Sequence, residues 1–463
     1  MVLRSLYVRG DGRTRAAGHW WFMFGEIAAY AFVVLVLTGG FLMVFYDPSM
    51  DRTVYHGTYP PLRGVGMSQA YASTLHLSFD VRGGLLVRQV HHWAALIFIA
   101  AVVLQLLRLF FTGAFRRPRG TNWLIWVTLL VLGMAAGVTG TVLPDDQLSG
   151  GSLGLIQGIV LSIPLVGTYL SLWLFGGDFP GDKIITNLYA AHLIVGVLML
   201  GLLVLRFRLV RRHGHTRFPG RHAADTDRRT RLASAGALFS ATCGILALLG
   251  WAAQVNPVWL YGPYEAGSIT SGAVPGWYMG FLDGALRIMP NWEPTVFGHP
   301  LSLAVLVPAL VIPGGFFTFL AAYPMIERRV TGDRGLHDLL DRPRDRAGRT
   351  AVGVGGITFY GLLWAAAAND QIATHFDLSL TALTVFFRFA VVAGPLLAFA
   401  VTRRLCLGLQ QRDREEREHG IETGLIRQLP NGGFAEVTRP ADEHPTVSPG
   451  SPSTGTDLRH TVT

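Results

Sequence analysis

The stretch QVHHWAALIFIAAVVLQ, residues 89–105, opens on two histidines, closes on a glutamine, and is wholly apolar from Trp93 to Leu104. A helix needs about 20 predominantly apolar residues to cross the hydrocarbon core of a bilayer. This run, extended to Phe110, satisfies that, and a membrane span is predicted over 90–110. Ionisable side chains inside a span are costly and usually serve a function. His91 and His92 therefore need a reason, and so does Gln105 at the far end.

The rest of the chain has the same character. Of its 463 residues, 50% are hydrophobic and only 15% charged, where a soluble domain carries about 25% charge. Further spans are predicted over 26–46, 123–143, 184–205, 233–253, 301–323, 351–368 and 380–402. The fold class is thus an all-α polytopic membrane protein with eight transmembrane helices. The stretch 153–175 is also apolar, but Pro164 and its glycine-rich flanks predict a short helical hairpin lying on the surface.

Arginine is distributed asymmetrically. It crowds the connections after the second span (Arg116, Arg117, Arg119), after the fourth (206–231), after the sixth (from Arg328) and after the eighth (from Arg403). The intervening connections, 47–89, the LPDDQLSGG region, 254–300 and the one around Asn369, are poor in it. Positive loops stay cytoplasmic, so all eight spans alternate consistently, with both termini inside a cell membrane. The same loops account for the net charge of +9 without a nucleic-acid partner. Cys243 and Cys406 form no CxxC or CxxCH pattern, which argues against a zinc knuckle, covalent haem or a disulfide scaffold. Residues 1–25 lack a signal-peptide core and read as a basic, aromatic interfacial segment. Residues 406–434 read as a cytoplasmic extension, and 435–463, rich in Pro, Ser and Thr, as a disordered tail.

His192 lies in the outer half of the fourth span, at the predicted depth of His91. Two imidazoles at one depth on two helices can ligate a haem iron. A lone histidine is more often bonded to a neighbouring carbonyl, but two at matched depth with glycines nearby favour the cofactor. Gly39 and Gly140 sit at that depth on the first and third spans. Only glycine lets backbone approach a flat macrocycle closely, although glycines also serve helix packing in membranes.

These residues, with the segments LVRQVHHWAA, LRLFFTGAFRRPRG, TGTVLPDDQLSG, GWYMGFLDGALRIMPNWE, TFYGLLWAAAAND and RRLCLGLQ, resemble the cytochrome b subunit of cytochrome bc complexes in its actinobacterial form. The resemblance implies a four-helix haem bundle over 26–231 and a C-terminal helical region over 232–405 with a long outer quinol-site loop at 254–300. It implies two b haems, an outer one beside a quinol oxidation site and an inner one beside a quinone reduction site. It also implies Rieske iron–sulfur and cytochrome c partners, and a possible homodimer.

Carried over onto this chain, His91 and His192 match the outer axial ligands. Gly39 and Gly140 match the close-approach glycines, and Arg88 the propionate-pairing arginine. An interfacial arginine would look the same as Arg88 in sequence. His92 falls about 100° away around the helix. The inner site departs from the pattern. The family's second ligand lies 14 residues after the first, about 21 Å along the helix and about 40° round it. Here those positions hold Gln105 and Arg206, and Arg offers no lone pair. Gly25 keeps one inner glycine, but the other position is Trp126. One haem is therefore expected, on the outer side.

The quinol-loop pattern of Pro, acid, Trp and Tyr appears as Pro275, Gly276, Trp277 and Tyr278. Glycine cannot accept a proton as the family's acid does. Asp283 and Glu293 occupy other family-like positions and are not read as replacements. Asp145 and Asp146 look like a carboxylate pair, but a helix cap is the preferred reading. Two functions remain: a reductase subunit passing electrons from quinol through a b haem, or a divergent paralog acting as assembly partner, sensor or single-haem relay. A transporter is unsupported, because no internal repeat or broken-helix pair stands out.

Overall fold

The computed structural model describes residues 23–214, 216–217, 228–268, 275–296, 298–432 and 434–439. The interfacial segment before residue 23, part of the arginine-rich 206–231 connection and the tail beyond 439 lie outside the described residues.

In chain order the elements are α1 (Phe24–Phe45), β1 (Arg52–Val54), β2 (Gly66–Ser68), α2 (Gln69–Phe79), α3 (Gly84–Phe111), α4 (Gly120–Val142), α5 (Gln147–Leu161), α6 (Gly167–Phe175), α7 (Ile184–His213) and α8 (Arg228–Ala252). There follow α9 (Gly280–Ile288), β3 (Thr295–Val296), β4 (His299–Pro300), α10 (Leu303–Thr331), α11 (Ala347–Ala366), α12 (Asn369–Phe376), α13 (Leu380–His419), β5 (Ile421–Gln428) and β6 (Phe434–Arg439). Each strand pairs antiparallel with its neighbour in sequence, β1 with β2, β3 with β4 and β5 with β6.

Among the described residues α1, α3, α4, α7, α8, α10 and α13 are long and apolar enough to span a membrane, and α11 with α12 makes an eighth. Seven of the eight predicted spans thus coincide with such helices, and the structure differs from the sequence reading at four points. The seventh, read as 351–368, is broken: α11 and α12 meet at 62°. The break is pinned by Arg287, which bonds Asn369 Oδ1 at 3.1 Å and pairs with Asp283 at 2.9 Å and Asp370 at 3.0 Å. The second span starts at Gly84 rather than 90, so His91 and His92 lie about two turns inside α3. The last helix has 40 residues, about 60 Å against a hydrocarbon core of about 30 Å. Its polar half stays helical through i,i+4 contacts such as Arg412–Glu416. Finally, residues 435–439, placed in a disordered tail by composition, belong to β6, which pairs with β5. The predicted surface hairpin is present as α5 and α6, with Leu165 at its tip 93% exposed.

Helix α1 packs on α3, α4 on α7, and α3 on α4. Their shared core holds Ala28, Phe32, Phe98, Val102, Trp123 and Leu129. Leu193, Ile194, Val197 and Leu198 point outward from α7, as lipid-facing residues must. Within α10 the chain opens into a π turn over Val307–Val311, beside prolines that withhold backbone donors.

At the arginine-rich end, Arg349 is 6% exposed. It is held by Glu327 at 2.9 Å and Asp341 at 2.8 Å. Removing one partner of a buried pair costs about 3–5 kcal/mol, because the others keep uncompensated charge. Arg349→Leu is expected to lower the thermal midpoint of the detergent-solubilised chain markedly. Arg412→Leu, at a pair whose arginine is 76% exposed, changes it little.

Candidate functional site

The rings of His91 and His192 face one another across the bundle, their centres 6.4 Å apart. Two imidazoles trans on one iron have centres about 6 Å apart, given metal–nitrogen bonds of about 2 Å. Glycine brings the backbone of α1 and α4 against these rings. A Cβ at Gly39 would lie 3.3 Å from His91 Cε1, and one at Gly140 would lie 2.8 Å from His192 Cε1.

The hydrogen bonds set the tautomers. His192 Nδ1 lies 3.1 Å from the Ala136 carbonyl, which can only accept, so Nδ1 carries the proton. Thr139 Oγ1, 3.1 Å away, donates to the Ala135 carbonyl and accepts from the same nitrogen. On the other helix pair Thr38 Oγ1 donates to the Val34 carbonyl at 2.6 Å and accepts from His91 Nδ1 at 2.9 Å. Both rings therefore present Nε2 with its lone pair, the state a metal ligand requires.

Arg88, one turn before His91, donates through Nη2 to the Asn256 carbonyl at 3.1 Å. Its Nη1 is buried with no partner among the described residues, a donor suited to a carboxylate such as a haem propionate. Gln89 and Trp93 clamp the same loop, bonding Val255 and Ala253. His92 is half-buried on the adjoining face. The residues present thus fit a haem on this side.

The opposite half of the bundle is filled. Around Gly25 a Cβ would meet Arg206 Nη2 at 2.9 Å, and Gln105 Cδ and Trp126 Cζ2 at 3.4 Å each. The Arg206 guanidinium lies 4.6 Å over the Trp126 ring, a cation–π contact. Glu26 is its electrostatic partner. Trp126 is fully buried and Gln105 is 3% exposed. The indole and guanidinium pack against Gly25, and neither Gln105 nor Arg206 offers the nitrogen lone pair a haem iron takes, so these residues do not fit a second haem.

In the outer loop Pro275 is half-buried, Gly276 exposed and Trp277 37% exposed. Tyr278 is 5% exposed, its hydroxyl packed on Gly137 and bonded to Thr141. Burial pushes its phenol up, so it stays a donor. The carbonyls of Trp277 and Tyr278 are held by Trp364 Nε1 and the Tyr360 hydroxyl. Asp283 is tied to Arg287 and Glu293 is exposed, so neither stands in for an acid at position 276.

The Asp145–Asp146 pair is structural. Asp146 caps α5, accepting from the backbone of Leu148 and Ser149. Asp145 is 3% exposed, has φ +55° and keeps one carboxylate oxygen without a partner. Burial, opposed by a Ser68 hydrogen bond, raises it to about 6. A carboxyl raised on folding loses stability as pH climbs from about 4 to about 6. At neutral pH the cost is about 3 kcal/mol. Asn tolerates the left-handed backbone and carries no charge. Asp145→Asn is expected to raise the thermal midpoint at pH 7.5, and the gain should vanish near pH 4.

A family model described as Cytochrome b(N-terminal)/b6/petB matches residues 96–263. The chain is 49% identical over 432 residues to the cytochrome bc1 complex cytochrome b subunit of Streptomyces coelicolor, covering 92% of this chain and 79% of that protein. The chain belongs to the cytochrome b family. Like-named subunits of Corynebacterium diphtheriae and Mycobacterium tuberculosis are 46% and 47% identical, over 92% of this chain and 80% and 79% of theirs. A solved chain of a hyperthermophilic respiratory Complex III shares the fold, with TM-score 0.59 and 17% identity, over 86% of this chain and 98% of that one. Similarity this continuous is that of a cytochrome b subunit, and the paralog alternative is not favoured. Membership implies a b haem and a place in a multi-subunit membrane complex.

Sequence reading passed over Thr38, Thr139 and Glu26. A signal for the threonines was present as an internal repeat. The Thr-Gly pairs 38–39 and 139–140 and the histidines 91 and 192 are each 101 residues apart, as are Gln105 and Arg206. The α1–α3 and α4–α7 pairs are two copies of one cradle.

Proposed function

We propose that this cytochrome b is the membrane subunit through which a quinol–cytochrome c reductase oxidises quinol, and that it holds one b haem on the side of His91 and His192. One observation carries the reading: the Thr-Gly-His cradle is intact in both copies on that side, while Gln105, Trp126 and Arg206 close the other. When bound, a b haem supplies reversible one-electron chemistry. His91 and His192 would hold its iron through Nε2, with Thr38 and Thr139 keeping each ring in the ligating tautomer. Gly39 and Gly140 would leave room for it beside those rings, and Arg88 Nη1 would be free to donate to a propionate.

Pro275, Trp277 and Tyr278 belong to the quinol loop, where the Tyr278 hydroxyl is held by Thr141. With Gly276 the pocket has no carboxylate to take the quinol's proton, so unaided deprotonation limits turnover. Rieske and cytochrome c subunits are the expected partners, and two copies form the expected dimer. The arginine asymmetry supports a plasma-membrane location with both termini cytoplasmic.

The test is the ratio of haem, by pyridine haemochromogen absorbance, to protein in the purified full-length chain. One haem per chain is expected. Two would overturn the reading.

A further inference from the structure

At the arginine-rich end of the bundle, Arg117, Arg328, Arg329 and Arg334 surround a cavity of about 400 Å³ with Gly332. We propose that this cavity is a binding site for a phosphate anion, and that its occupant is the headgroup of an anionic phospholipid.

Charge accounting carries the first part. Every carboxylate between residues 327 and 345 is already engaged. Glu327 pairs with Arg349, Asp333 with His337, Asp338 with Arg119, and Asp341 with Arg116, Arg346 and Arg349. Asp345 faces Arg344. Among the described residues none lies within ion-pair distance of the four cavity arginines. Four arginines lining one cavity with no counter-ion among the described residues favour a multivalent oxyanion, which offsets their mutual repulsion.

The site is also built. The Arg117 loop and the 332–341 connection are stitched by backbone and side-chain bonds. His337 N donates to the Arg117 carbonyl at 2.8 Å, Arg117 Nη1 to the Arg334 carbonyl at 3.1 Å, and Asp341 N to the Thr112 carbonyl at 2.9 Å. Arg117 and Arg334 are thus presented from two elements bonded to each other, and Arg328 and Arg329 from the last turn of α10.

Position argues for lipid over a soluble anion. Arg328 and Arg329 occupy the last turn of the α10 span, where headgroups lie. Flanking Val330 and Leu336 are 81% and 72% exposed, apolar surface suited to acyl chains. Basic pockets between spans on the positive side bind such headgroups.

The test uses the full-length chain in phosphatidylcholine nanodiscs with or without phosphatidylglycerol, read by native mass spectrometry after delipidation. The wild-type chain is expected to retain one phosphatidylglycerol. Arg328→Gln with Arg329→Gln should weaken retention about 30-fold, each lost cation costing roughly tenfold or less. Both side chains are exposed, so folding is unaffected. Arg403→Gln with Arg404→Gln, an exposed pair at another helix, should change nothing. Pyrophosphate retained in pure phosphatidylcholine, and lost in the Arg328/Arg329 variant, would confirm a phosphate site but overturn the lipid assignment. Equal loss in the Arg403/Arg404 control would overturn the site itself, as would no retention of either anion.

Discussion

Purified His91→Ala or His192→Ala chains are expected to contain no b haem, against the one per chain proposed for the parent. Each imidazole supplies one of two axial nitrogens, and alanine offers none. The rings are preset by Thr38 and Thr139 bonds at 2.9 and 3.1 Å, so no neighbouring side chain is oriented to replace them. His92 cannot, because it points about 100° away round α3. The reduced-minus-oxidised b-band should vanish in either variant while size-exclusion behaviour is kept. A surviving full-intensity band would place the haem elsewhere. The converse change is as large. Gln105→His with Arg206→His and Trp126→Gly recreates the cradle on the filled side, and the haem-to-chain ratio is expected to double. Without Trp126→Gly the two histidines should add nothing, because the indole keeps the porphyrin's space.

Gly276→Asp is expected to speed quinol oxidation by the assembled complex about 100-fold. General-base assistance is worth 10²–10⁴-fold, and the lower end applies here. A Cβ at Gly276 would fall 2.8 Å from Tyr278 Cε1, so the new side chain must displace a ring fastened by Thr141. The backbone itself, at φ −51° and ψ 143°, accepts any residue. The gain should fade below about pH 4, where the carboxyl is protonated and cannot accept. Gly276→Asn has the same shape without the base. If it accelerates turnover equally, deprotonation is not what limits this chain.

How much was legible in the sequence varied with the range of the forces involved. The spans were legible because bilayer thickness imposes a length and an apolarity on each segment independently. His91, His192, Gly39 and Gly140 were legible because polar or flexible residues stand out against that background. The break between α11 and α12 was not. It depends on Arg287, 82 residues upstream of Asn369, and no local pattern around Asn369 reports that bond. The β5–β6 hairpin was missed for a related reason. Composition marks segments that bury little apolar surface, but strand pairing is a bond between segments, which residue counts do not record.

By itself, the sequence determined that this chain lives in a membrane, where its long apolar segments lie, and that imidazole survives at one depth only. Those follow from transfer free energies and ligand chemistry, which act residue by residue. Tertiary structure alone brought Arg206, Gln105 and Trp126 together around Gly25. Gly25, Gln105, Trp126 and Arg206 come from four helices, and whether they leave room between them is a property of packing. It likewise decided which nitrogen of each histidine is free to ligate, since that is set by a hydroxyl or carbonyl on a facing helix.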